Sequence, residues 1–193
     1  MEEKQLNEQE SLELITRMIR NTQQKLKKDN GLPFLIWGYT TIVVTLMVWY
    51  FLSTTGNPNW NYLWFLIPVI GFPIMMFSVR KREKEVKTYI DRIIGYVWIV
   101  LGVAGLVGTV SAIFFWQLPI LFVIILIMSS GTAITGLVIR FKPIIFSGFI
   151  GIVLSILCLI LKGYESILIF ALIFLIMMVI PGHILNWKGK KHV

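Results

Sequence analysis

Few residues in the apolar stretches of this chain could do chemistry: one histidine, one cysteine, some serine and threonine hydroxyls, and the carbonyls that prolines leave without a partner. His183 stands close to Asn186 and Trp187; a lone imidazole there can anchor a helix end by hydrogen bonding or pass a proton. His192 lies in the tail, and with no cysteine or carboxylate beside either histidine no metal site is expected. Cys158 cannot form an intramolecular disulfide, and a thiol in hydrocarbon stays protonated, so it reads as structural filler. Pro68, Gly71 and Pro73 fall close together, and each proline removes one helical hydrogen bond. A kink or unwound turn is expected there, either with carbonyls available to a ligand, as in interrupted transporter helices, or with those carbonyls satisfied by neighbouring helices. Thr132 sits in the run Ser129-Ser130-Gly131-Thr132-Ala133, which can line a polar cavity or pack closely. No cofactor is implied.

The elements that position these residues follow from composition. The chain has 193 residues, 56% of them hydrophobic and only 15% charged, against about 25% in soluble domains. Too few polar side chains remain to cover a soluble fold. A bilayer core about 30 Å thick takes roughly 20 helical residues, and six runs free of Asp, Glu, Lys and Arg meet that length: 33–53, 61–79, 93–115, 119–139, 143–161 and 166–185. They are apolar on every face, whereas barrel strands would alternate in polarity. The fold class is therefore all-α, a polytopic transmembrane bundle of six spans, with no second folded domain outside the membrane. The apolar sequence begins too far from Met1 for a cleavable signal.

Basic residues set the orientation. The segments 1–32, 80–92, 140–142 and 186–193 hold every Lys and Arg except Lys162 among the 18 present. By the positive-inside rule both termini face the cytoplasm. The net charge of +8 is then explained by helix ends held at an anionic leaflet rather than by nucleic acid binding. Trp49, Tyr50, Trp60, Tyr62 and Trp64 crowd the first outer loop, Trp116 the second, and Trp187 follows the last span, as interfacial aromatic belts do, a platform for a sugar or a cation being the alternative.

Residues 7–28 read as a cytoplasmic helix. Asn7 and Glu10 make a capping-box pattern, and acidic residues lead while basic ones trail, as the helix dipole favours. Leu12, Ile15, Ile19 and Leu26 form its apolar stripe. Three occupants compete for that stripe: the lipid surface, the 80–92 loop of the same chain, or a partner protein. Homo-oligomerisation of the chain is left open separately. The 80–92 loop is itself helix-compatible, with Glu83 and Lys87 spaced for an ion pair.

Small residues recur in the third, fourth and fifth runs. Ala104 with Gly108, Thr132 with Gly136, and Gly151 with Ser155 have the spacing that lets membrane helices approach. A shift of 46 residues aligns Gly102, Gly105 and Gly136 with Gly148, Gly151 and Gly182, which favours three hairpins.

Three stretches, Glu10-Ser11-Leu12 with Met18-Ile19, Thr88-Tyr89-Ile90-Asp91 and Pro181-Gly182-His183-Ile184-Leu185-Asn186, resemble an uncharacterised family of small six-span membrane proteins of Bacteroidetes-type bacteria. The resemblance implies the six-span fold alone and assigns no functional residue. Intramembrane catalysis and ion coupling draw on charged side chains, and the runs hold no Asp, Glu, Lys or Arg, so no enzymatic activity is expected. The expected role is a non-catalytic regulatory or accessory subunit working through its cytoplasmic face. The alternative is a small-molecule or lipid transporter or channel using the Pro68–Pro73 region and the fourth run.

Overall fold

The computed structural model describes residues 12, 13, 16, 31–80, 89–114, 119–161 and 163–190. Among them every regular element is a helix. Six helices are long and apolar enough to cross a membrane: Gly31–Thr55, Pro58–Ser78, Tyr89–Ala112, Ile120–Ile139, Lys142–Ile160 and Glu165–Lys188, here the first to sixth spans. The chain is a multi-pass membrane protein. The span ends lie within a few residues of those read from the sequence, because loss of hydropathy and loss of helix coincide at a membrane boundary.

Four spans form the centre and two are peripheral. The first packs along the whole sixth, the fourth packs most extensively on the fifth, and the fifth also meets the sixth. The second span packs on the first and the third on the fourth. Burial follows this placement. The first, fourth, fifth and sixth spans are 33–56% buried over their most apolar windows, against 6% for the second and the third. Contacts thus join sequence neighbours and also the two ends of the chain.

Glycine decides which helices come close, since lipid tails are as apolar as the helices and only packing and polar contacts drive association. A Cβ on Gly148 would stand 2.7 Å from the Ala133 Cα, and one on Gly136 2.6 Å from the Ile145 nitrogen. Backbone therefore lies against backbone between the fourth and fifth spans. At the start of the first span, a Cβ on Gly31 would meet the Gly182 carbonyl oxygen and the Asn186 side chain.

Three spans depart from plain α-helix, the fifth through a turn at Ser155-Ile156 that separates the helices Lys142–Leu154 and Leu157–Ile160. The second opens as a 3-10 helix, Pro58–Phe65, capped by Asn57, whose Oδ1 accepts from the Asn59 N–H at 3.0 Å, and becomes α-helical at Leu66. The sixth widens into a π-helix at Leu175–Val179.

Candidate functional site

The hydroxyls of the central spans are spent on helix carbonyls and on packing. Thr132 is fully buried and donates to the Met128 carbonyl at 2.9 Å; Thr135 donates to Gly131 at 2.7 Å and accepts from the Trp98 indole N–H at 3.2 Å. Such return bonds to the preceding turn satisfy a hydroxyl where water is absent. Ser129 donates to the Met177 sulfur at 3.0 Å. Ser147 shares its proton between the Ile144 carbonyl at 3.1 Å and the Met177 carbonyl at 3.3 Å. That second acceptor lies in the π-helical turn Leu175–Val179. No buried side-chain nitrogen or oxygen among the described residues lacks a partner. Ser129, Ser147 and Met177 thus form a small polar node where the fourth, fifth and sixth spans meet. The serines belong to the small-residue runs visible in the sequence. Met177 lies in an unbroken apolar run and carried no signal.

The proline region is only partly irregular. Pro68 falls in the first turn of the α-helix Leu66–Arg80, where no N–H donor is needed, and Pro73 lies inside it. Gly71 is buried, and a Cβ there would stand 2.8 Å from the Trp37 indole. Gly71 is therefore a seat for a tryptophan of the first span, and Thr132, two spans distant, is buried among the central helices.

His183 has a partner that sequence spacing did not reveal. Its Nε2 and the Tyr39 hydroxyl share a hydrogen bond of 2.7 Å at the outward side of the first and sixth spans. Cys158 is buried, with its sulfur 3.9 Å from the Ser166 carbonyl oxygen. Among the described residues no three His, Cys, Asp or Glu side chains gather as a metal site would require.

Of the N-terminal stripe, Leu12 is helical and exposed, and Thr16 donates to its carbonyl at 2.8 Å. Ile15, Ile19 and Leu26 lie outside the described residues, as does Trp116. The aromatic belt is partly inward. Tyr50 and Tyr62 are exposed, but Trp64 meets Phe170 of the core edge to face and Trp60 stacks on Phe51 at 4.2 Å.

The third span leaves a long apolar face exposed. Tyr96, Ile99, Val103 and Leu106 are exposed along it, and a Cβ on Gly95 or Gly102 would meet nothing within 4 Å. The glycines aligned by the 46-residue shift therefore do not share surroundings, since Gly102 is open where Gly148 is jammed against Ala133. No protein-family model matches the chain, and no curated protein or solved structure is significantly similar to it.

Proposed function

We propose that this protein is a non-catalytic accessory or regulatory subunit of a bacterial inner membrane, with both termini cytoplasmic, that works by binding a membrane partner. In this reading the spans form three hairpins, and the amphipathic helix 7–28 lies at the cytoplasmic face. The observation that carries it is the contrast between the spans. The second and third are 6% buried over their most apolar windows, while the serine and threonine hydroxyls described in the fourth and fifth spans are held in hydrogen bonds within the bundle. These two peripheral spans are the pair joined by the charged segment 80–92. A partner that touched that segment would find two exposed apolar helices beside it, one with Gly95 and Gly102 open to close approach. The positive-inside split supports the orientation.

Co-purification from native membranes under mild detergent tests this. A partner should be retained by the intact protein and lost when Leu12, Ile15 and Ile19 are changed to Ser. Recovery of the chain alone, with an unchanged cellular phenotype after deletion of residues 1–28, would overturn the subunit role. Solute or lipid flux in liposomes, abolished by a substitution at Gly71 or Thr132, would replace it with transport.

A further inference from the structure

At the end of the bundle away from Gly31 and Lys190, a cavity of about 380 Å³ opens between the 3-10 helix of the second span and the starts of the fourth and sixth. Its apolar wall is made by Leu52, Leu121 and Ile167, and Asn61, Trp64 and Tyr164 complete the lining. Two glycine turns shape its mouth. Gly56 at φ +65° and Gly163 at φ +85° hold a left-handed backbone that other residues rarely adopt, and a Cβ at either would meet nothing within 4 Å. The space beside them is therefore open rather than filled by a neighbouring side chain.

The hydrogen-bonding capacity of the lining is only partly used. The Asn61 amide nitrogen donates to the Pro58 carbonyl at 3.0 Å, which leaves its oxygen as an acceptor facing outward from that bond. The Ser166 hydroxyl is committed to the Gly163 carbonyl at 2.7 Å. Among the described residues neither the Tyr164 hydroxyl nor the Trp64 indole N–H has a hydrogen-bond partner. One amide acceptor, one indole donor and one phenol thus stand beside an apolar wall. None of the described lining residues has a carboxylate, ammonium or guanidinium group; Glu165, next to Tyr164, is not among them. A charged group entering here would lose hydration without gaining a counter-charge from any described lining residue, at a cost that neutral hydroxyls avoid. The volume falls at the small end of the range for ligand sites, about 300–1,000 Å³, and suits one headgroup rather than a whole lipid.

We propose that this cavity is a binding site for an uncharged polyol group, such as a glycerol or a sugar ring, presented by a neutral amphiphile. The hydroxyls would take the Asn61 oxygen, the Tyr164 phenol and the Trp64 N–H, and the adjoining apolar segment would lie on Leu52, Leu121 and Ile167. This inference does not depend on the subunit role.

The full-length protein in phosphatidylcholine nanodiscs, photolabelled with a diazirine-bearing monoacylglycerol and mapped by peptide mass spectrometry, provides the test. Saturable labelling within 52–67 and 163–167 is expected. Excess unlabelled monoacylglycerol should suppress it, and equal concentrations of a fatty acid or an alkyl trimethylammonium should not. Asn61→Leu and Tyr164→Phe should each weaken the apparent affinity about fivefold, the loss of roughly one neutral hydrogen bond. The unfolding midpoint of Tyr164→Phe should stay unchanged, because that side chain is exposed. Suppression by free methyl glucoside at the same concentration would identify the source as a soluble sugar instead of a lipid headgroup. Labelling that does not saturate, that the ammonium or the acid suppresses equally, or that both variants leave unaltered would overturn the proposal.

Discussion

The Tyr39 hydroxyl lies 2.7 Å from Nε2 of His183, and the two rings meet edge to face with centroids 5.9 Å apart, although 144 positions separate the residues. The bond ties the first span to the sixth near the place where Gly31 and Gly182 let their backbones meet. It gives the imidazole a structural partner without invoking a proton path.

A double-mutant cycle on this pair measures the tie. Tyr39→Phe and His183→Leu should each lower stability, and the coupling between them should be about 0.6 kcal/mol, the usual size for side-chain hydrogen bonds between membrane helices. Unfolding by sodium dodecyl sulfate in mixed micelles reads it. Strictly additive losses would show that the bond does not hold the spans together.

Two glycines aligned by the internal repeat should behave in opposite ways. Gly148→Leu drives a side chain into the Ala133 backbone, which cannot move aside cheaply, and should cost at least about 1–3 kcal/mol. Gly102→Leu enters open space and should leave the unfolding midpoint within about 0.5 kcal/mol of the parent. Equal effects would contradict the placement of the third span at the periphery.

The same Gly102→Leu protein serves a second purpose. If a membrane partner approaches the third span closely, the added side chain should reduce its co-purification several-fold while the isolated chain stays folded. Full retention of the partner would move the interface elsewhere.

Ser147→Ala removes the donor that reaches the Met177 carbonyl in the π-helical turn. A stability loss of about 1 kcal/mol is expected, since the carbonyl has no water to turn to. Hydrogen exchange across 175–179 should rise in the same variant. An unchanged exchange pattern there would show that the turn holds itself.

Topology is open to direct labelling. Single cysteines at Asn59 and Lys190, in a Cys158→Ser background, should respond differently to an impermeant thiol reagent on intact cells. Asn59 is exposed and its side chain is not the cap of the 3-10 helix. The first should react and the second should not. The reverse pattern would invert the chain in the membrane.

The sequence by itself determined the class, the number of spans and, through the placement of its Lys and Arg residues, an expected orientation. Each is a one-dimensional property: hydropathy summed over about 20 residues decides whether a segment leaves water. It also marked the small residues of the fourth and fifth spans, Gly136, Gly148 and Gly151, where the helices do approach closely. It did not distinguish them from Gly102, because glycine is a permission to approach and only a neighbour uses it. Nor did it pair Tyr39 with His183, or show that Gly71 seats Trp37, since contacts between spans have no periodicity along the chain. The π-helical turn at Leu175–Val179 was equally hidden, for an unbroken apolar run looks the same in either register. Which spans are central, which face stays open and where a cavity forms were left to tertiary packing, because helices of nearly uniform hydropathy are ordered only by the fit of their surfaces.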